Sequence, residues 1–341
     1  MYFVLYDRFL RSIGDTYLVE KWSRTRRSVD FDDLKISGEQ IPYDANPFLV
    51  VVNDRQGRQL FSGLASTPSI DEPTKKSTIT LKDYMTLFNT EIVVDWNKFL
   101  GSTVSELLSF MLDAWLSQTD VGLPSIEYSV SQVASKLLDT EIPIGSGWEN
   151  VFLWDRISDI LVYYDVYCEP YLEVSSKTLR FSFLPSQQRD KSIRLSDFGV
   201  NYVEKSFGEY NRATVYSEAY EKVQQWGLTE SNSVARLPSS ALLVYPAKNR
   251  NFVASGSSTE EAVYEAVMGL AGNRYQESIE LDAQRYRSIT DLTQVDFSYR
   301  ITVYTENGEY KSLPVGEIET DSEDSHIIRL GYAVQELTQE I

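Results

Sequence analysis

The densest polar chemistry in this chain lies near its C-terminal end, in Thr320-Asp-Ser-Glu-Asp-Ser-His326, where Asp321, Glu323 and Asp324 precede a histidine. Clustered carboxylates suit a hard cation such as calcium. The run lacks the glycine and the spaced terminal glutamate of an EF-hand loop, and a solvated hairpin turn accounts for it more simply. His326 is the only histidine and Cys168 the only cysteine. Two-histidine metal sites and intrachain disulfides are therefore excluded, and a Cys/His nucleophilic pair could only be Cys168 with His326. No Gly-x-Ser-x-Gly elbow marks a nucleophilic serine. Gly145-Ser146-Gly147 has the composition of an anion nest, but between Pro143 and the helix expected after it the segment reads as a linker. The 50 acidic residues offer many carboxylate pairs for glycoside hydrolysis and single out none. Neither a catalytic residue nor a cofactor nor a metal is assigned.

One basic group stands out. Arg24, Arg26 and Arg27 lie beside Asp30, Asp32 and Asp33, close to Trp22. Such a set can form salt bridges between subunits, and Trp22, Arg24, Arg26 and Arg27 are the candidate intersubunit contacts; ordinary exposed strands, whose ion pairs contribute little singly, are the plainer alternative.

The net charge of −18 argues against a simple nucleic-acid binder, which needs Lys and Arg to displace counterions from phosphates, and against an anionic membrane surface. The charge is uneven: −2 over residues 1–97, −5 over 98–195 and −11 over 196–341. The apolar start Met1-Tyr-Phe-Val-Leu-Tyr6 is cut short by Asp7 and Arg8, so no signal peptide is expected. No apolar run is long enough for a transmembrane helix. At 341 residues the chain has room for two or three packed units.

The elements that must position these residues follow from periodicity. Phe48-Leu-Val-Val-Val52 reads as a buried strand, followed by a polar turn and a second strand through Leu60 and Phe61. Ser77-Thr-Ile-Thr-Leu81 alternates as another strand. Val104, Leu107, Leu108, Met111, Leu112, Trp115 and Leu116 fall on one helical face, and Thr103 with Glu106 has the form of a capping box. A second helix is expected over Asn150–Val162, then a hairpin whose return strand alternates Leu179, Phe181 and Phe183. Val200–Tyr216 reads as β. Ser258 and Glu261 open a third helix, with Gly272-Asn273 as its stop. Strands are expected at 275–281, 298–305, 313–318 and 327–334, with Asn307-Gly308 as a hairpin turn.

The order of these segments resembles the tail hub, or tail-associated, proteins of siphophages, which are related to the baseplate hub of contractile phages. Trp22-Ser-Arg-Thr-Arg-Arg27 followed by Phe31 and Asp32-Asp33 is similar to the family's opening. Phe61-Ser-Gly-Leu64 is similar to its returning strand, and Thr78-Ile-Thr-Leu-Lys-Asp-Tyr-Met-Thr-Leu-Phe88 to its strand leading into a short helix. Tyr210-Asn-Arg-Ala-Thr-Val-Tyr216 resembles the strand re-entering a second barrel. Glu261–Leu270 followed by Arg274–Ile279, and the closing Ile327-Ile-Arg-Leu-Gly331, resemble its late elements.

The resemblance implies an α+β chain of two small antiparallel, tube-like β-barrels with inserted α+β domains: 1–97 as the first barrel, 98–195 as an inserted α+β domain, 196–222 with 280–341 as the second barrel, and 223–279 as that barrel's helical insert. It implies a homotrimeric ring at the virion tail tip, assembled in the host bacterial cytoplasm. Two barrels per subunit would then continue a sixfold tube and organise host attachment. The implied partners are the distal tail protein, the tape-measure protein and receptor-binding or fibre proteins, with DNA passing through unbound and no membrane anchoring. No enzymatic activity is expected. The alternatives from other classes are a tail-tip enzyme degrading cell wall and a carbohydrate-binding adhesion module.

Overall fold

The structure is a computed structural model, and it describes residues 1–41, 47–66, 69–71, 73–119, 125–186, 188–198, 204–206, 208–231, 233–254, 258–274, 276–304 and 310–331. The first unit contains β1 (Tyr2–Tyr6), β2 (Ser12–Arg27), β3 (Asp33–Glu39), β4 (Leu49–Asn53), β5 (Gln59–Ala65), β6 (Ser69–Asp71) and β7 (Lys76–Lys82). Six of these pair in the cycle β1-β4-β5-β7-β3-β2 and back to β1, all antiparallel, which closes a barrel; β6 adds to β7. Closure removes the free edges that an open sheet of this size would expose. Phe3, Leu5, Ile36, Val50, Val52 and Ile79 fill its interior.

β4 explains how the next unit attaches. An unbroken apolar run signals a strand covered on both faces, and all of β4 is buried. Val50 and Val52 point into the barrel, while Leu49 and Val51 belong to the core outside it. That outer core is built by a 3₁₀ turn (Tyr84–Phe88), β8 (Glu91–Asp95), α1 (Val104–Gln118), β9 (Ser125–Ser129), β10 (Trp148–Phe152), α2 (Leu153–Tyr163), β11 (Val166–Glu173) and β12 (Thr178–Pro185). β11 and β12 form the expected hairpin, with β9 parallel along β12, and Leu179, Phe181 and Phe183 are wholly buried.

The capping box is formed as the sequence suggests. Thr103 Oγ1 accepts from the Glu106 N–H, and the Glu106 carboxylate accepts from the Thr103 N–H. Thr103→Ala is expected to cost about 1 kcal/mol in chemical denaturation, because the Glu106 N–H loses its Thr103 Oγ1 acceptor.

The second expected helix begins later than its periodicity suggested. Residues 148–152 form β10, antiparallel to β8, and the helix starts at Leu153. Val151 fits the helical apolar face and the inward face of a strand equally well, so the choice was made by its partner Ile92.

Beyond the hairpin come β13 (Arg189–Arg194) and β14 (Glu204–Ser206). A separate sheet follows, made of β15 (Arg212–Tyr216), β16 (Lys222–Leu228), β17 (Val234–Arg236) and β18 (Asn249–Val253) in the order β17-β16-β15-β18, and α3 (Thr259–Gly272) packs against it. β19 (Gln276–Asp282), β20 (Tyr299–Tyr304), β21 (Tyr310–Asp321) and β22 (His326–Leu330) complete the strands among the described residues. They join β13 and β14 in a six-stranded order, β13-β20-β21-β22-β19-β14.

The chain is thus mostly β, with a closed six-stranded antiparallel barrel and, among the described residues, three α-helices. Three expectations change. Arg212–Tyr216, read as part of a second barrel, lies in the separate sheet beneath α3, because its alternate residues Ala213 and Val215 bury against Val263 and Val267. Arg189–Arg194, placed at the end of the inserted segment, pairs with β20 in a parallel register, so this second sheet is mixed rather than purely antiparallel. Gln276–Asp282, placed largely with the helical insert, pairs with β22 and β14 in that same sheet. Asn307-Gly308 and residues 332–334 lie outside the described residues.

Candidate functional site

β2 is the hinge-pin of the molecule. At sixteen residues it is too long for the barrel alone. Its first part pairs with β1, its middle and end with β3, and its last five residues also pair with β21, from Ser23 opposite Asp321 to Arg27 opposite Glu317. One strand therefore carries the hydrogen bonding of the barrel into the second sheet. Trp22 sits where the two sheets meet, its ring centroid 5.4 Å from that of Phe61.

The three arginines lie on this shared segment, and each is engaged within the chain. Arg24 Nη2 donates to Asp32 Oδ2 at 2.9 Å, and the Arg27 N–H donates to Asp32 Oδ1 at 3.0 Å. The Arg27 side chain reaches the Phe31 carbonyl at 2.8 Å, Asp33 at 2.8 Å and Glu317 at 3.1 Å. Burial works against its charge, but Asp33 and Glu317 outweigh that and raise its pKa. Glu317 in turn receives Arg329, which also holds Glu280 and Glu319. Arg26 turns toward the middle unit, donating to Glu169 at 3.1 Å and lying 5.1 Å from the Phe297 ring centroid. Arg24, Arg26 and Arg27, with Gln59, Tyr171 and Phe297, line a cleft of about 390 Å³ where the three parts of the chain meet.

Beneath Asp32 is a second carboxylate that the sequence did not single out. Asp83 accepts the Asp32 N–H at 3.0 Å and caps the 3₁₀ turn by accepting the Met85 N–H at 3.0 Å. Burial, then the Asp32 charge, push its pKa up to about 7 against those two donors. Its position directly before the Tyr84–Phe88 turn is a capping signal that was there to be read. Cys168 is buried nearby, and burial followed by the Asp83 charge raises its thiol well above the usual range, which leaves it inert.

A further buried node ties α2 to α3. Tyr264 donates to Asp159 at 3.0 Å, and burial raises Asp159 to about 7. The Arg156 guanidinium lies 3.9 Å from the Tyr264 ring centroid and donates to Glu149, which also accepts from the Trp96 indole.

The C-terminal acidic run is a hairpin turn between β21 and β22. Asp321 Oδ1 accepts the N–H groups of Glu323 and Ser325 at 2.7 and 3.0 Å, and Glu323 pairs with Lys21 at 3.0 Å. Among the described residues no group of His, Cys, Asp and Glu is arranged to hold a metal ion. His326 is half-buried, and burial lowers its pKa despite Asp291 and Asp282. Gly145 and Gly147 lead directly into β10.

No family model matches the sequence, and no curated protein does so significantly. Solved structures do. The prophage tail protein gp18 from Listeria monocytogenes superposes with a TM-score of 0.53 over 98% of this chain and 95% of its own, at 13% identity. The chain has the fold of a phage tail protein. The 43 kDa tail protein of prophage MuSo2 from Shewanella oneidensis gives a TM-score of 0.52 and 13% identity over 98% of both chains. A chain of the lidded Francisella PdpA–VgrG complex gives 0.51 at 9% identity, matching all of this chain to 53% of its own length. The tail-protein fold therefore extends over nearly the whole sequence and is shared with part of a chain of the PdpA–VgrG complex. The arginine set that the sequence singled out lies at its central seam.

Proposed function

We propose that this chain is the structural hub of a bacteriophage tail tip, with no active site of its own, and that three copies form a ring continuing the tail tube. The observation that carries this is the joining of a closed six-stranded barrel, through one shared strand, to a second six-stranded sheet. We read that second sheet as the second tube-like barrel, with 83–186 and the β15–β18 and α3 segment as its α+β insertions. Three copies then present six such units, the number a sixfold tube requires. The likeness to prophage tail proteins over the full length supports the reading.

In this ring the distal tail protein lies above and the tape-measure protein within, while receptor-binding or fibre components attach outside for host attachment. The acidic bias of residues 196–341 suits a lumen that passes DNA without holding it, because basic groups would bind phosphates by counterion release. Trp22 and the outer flanks of Arg24, Arg26 and Arg27, whose side chains keep 24%, 23% and 24% of their surface exposed, remain our candidates for contact with the neighbouring subunit.

Sedimentation velocity and negative-stain imaging of the purified chain test this directly. A trimer with a central channel is the expected result. A monomer at every concentration would reject the ring, and a cleared zone on a cell-wall zymogram would favour the enzyme reading in its place.

A further inference from the structure

Among the described residues β8 and β10 form a two-stranded ribbon that joins no other sheet, and its two outer edges are treated differently. On the β8 side the Gln118 carboxamide imitates a strand: its Oε1 accepts the Val93 N–H and its Nε2 donates to the Val93 carbonyl, both at 2.8 Å. Val93 therefore points its backbone away from β10. Its register partner is Asn150. In an antiparallel pair, opposed residues either both face each other or both face outward, so the Asn150 N–H and C=O point away from β8. The flanking bonds agree, since Leu153 N–H reaches the Thr90 carbonyl and Trp96 N–H the Gly147 carbonyl. Among the described residues no strand, side chain or loop bonds to the outward groups of Asn150.

The side chains on the same stretch are unusual for an unguarded edge. Natural edges are blunted by lysine, proline or a covering element. Here Trp148 is 69% exposed, Phe152 39%, and Val93, between them on the neighbouring strand, 43%. The charges around this stripe are acidic. Glu91 lies opposite Phe152, and Glu260 and Glu261 share a cavity wall with Trp148. Among the described residues no ion pair engages these three, whereas the basic groups alongside are paired, Lys98 with Asp95 at 3.3 Å and Arg156 with Glu149 at 2.7 Å. Lys98 also lies over the Trp148 ring, 5.2 Å from its centroid, so an incoming strand must displace it or pack beside it.

We propose that the outer edge of β10 docks an extended, basic segment of another protein, which adds as a strand. Backbone groups of the incoming strand would pair with Asn150, its apolar side chains on one face would cover Trp148 and Phe152, and its Lys or Arg residues would meet Glu260 and Glu261, which line one cavity with Trp148. A second copy of this chain is the poorer occupant, because it would bring the same carboxylates to the same place.

A labelled synthetic peptide of alternating lysine and valine is the probe, with a glutamate–valine peptide and a backbone N-methylated lysine–valine peptide as controls. The full-length chain should bind the first and neither control. Trp148→Ser, at an exposed position that leaves the core intact, should weaken binding by about tenfold or more, as anchoring tryptophans do. The Asn150 amide should gain protection from hydrogen exchange only when the lysine–valine peptide is bound. Equal binding of the glutamate peptide, or binding without protection at Asn150, would overturn the proposal. So would self-association abolished by Trp148→Ser, which would assign the edge to a second copy. The measurement is independent of whether the chain is a monomer or a trimer.

Discussion

Phe181→Ala is expected to lower the stability of the protein by about 3–5 kcal/mol, read as a fall in the midpoint of guanidinium-induced unfolding. Phe181 is fully buried on β12, its ring 4.7 Å from that of Phe88 and 6.2 Å from that of Trp115. Those partners come from the 3₁₀ turn after the barrel and from α1, so one ring holds three separate pieces of chain together. Truncation removes apolar burial and leaves a cavity that the rigid barrel wall cannot collapse to fill. Tyr171→Ala, on the same hairpin but half-exposed, should cost much less. Equal losses from the two would mean that the hairpin is held by its backbone rather than by this cluster.

The second large effect is one of pH. Asp83 has a folded-state pKa of about 7 against 3.8 for the free side chain, so the folded protein keeps a proton that the unfolded chain has already released. Where the native state binds more protons, stability falls as pH rises. The Asp32–Asp83 pair should therefore destabilise the fold progressively between about pH 4 and 7, by an amount on the order of 4 kcal/mol, with a plateau above. Asp159, also raised to about 7 by burial, acts in the same direction. Denaturation at pH 5 and pH 8 measures the drop; Asp83→Asn should reduce it, and Asp83→Asn with Asp159→Asn should reduce it further. An unchanged slope in the double variant would place the pH dependence elsewhere.

Both effects bear on the hub reading. The Asp32–Asp83 pair lies under the seam where β2 passes from the barrel to the second sheet, so its protonation affects the joint between the two halves. A ring built from such halves depends on their relative setting, which the Arg27–Glu317–Arg329 chain and the continuous strand both restrain.

Much of this was legible in the residues. The face of α1 and its capping box, the Ser258 start of α3, the alternation of Leu179, Phe181 and Phe183, and the apolar run of β4 are all written within a few positions, because periodicity and caps are local properties. The scarcity of histidine and cysteine excluded whole families of chemistry before any fold was considered. The order of segments suggested the tail-hub resemblance. Other features needed partners distant in sequence. Residues 148–152 became a strand because β8 was there to receive them. Arg212–Tyr216 joined the separate sheet because α3 covered it, and Arg189–Arg194 joined the second sheet through a parallel pairing with a strand more than a hundred positions away. The arginines at 24, 26 and 27 were visible as a charged cluster, but their partners Glu169 and Glu317 were not. Asp83 could be read as a cap from its place before Tyr84, but not as a carboxylate with a raised pKa, because that came from packing that removed its water. Strand pairing and burial are decided by what the whole chain brings together, and a local pattern carries no record of that.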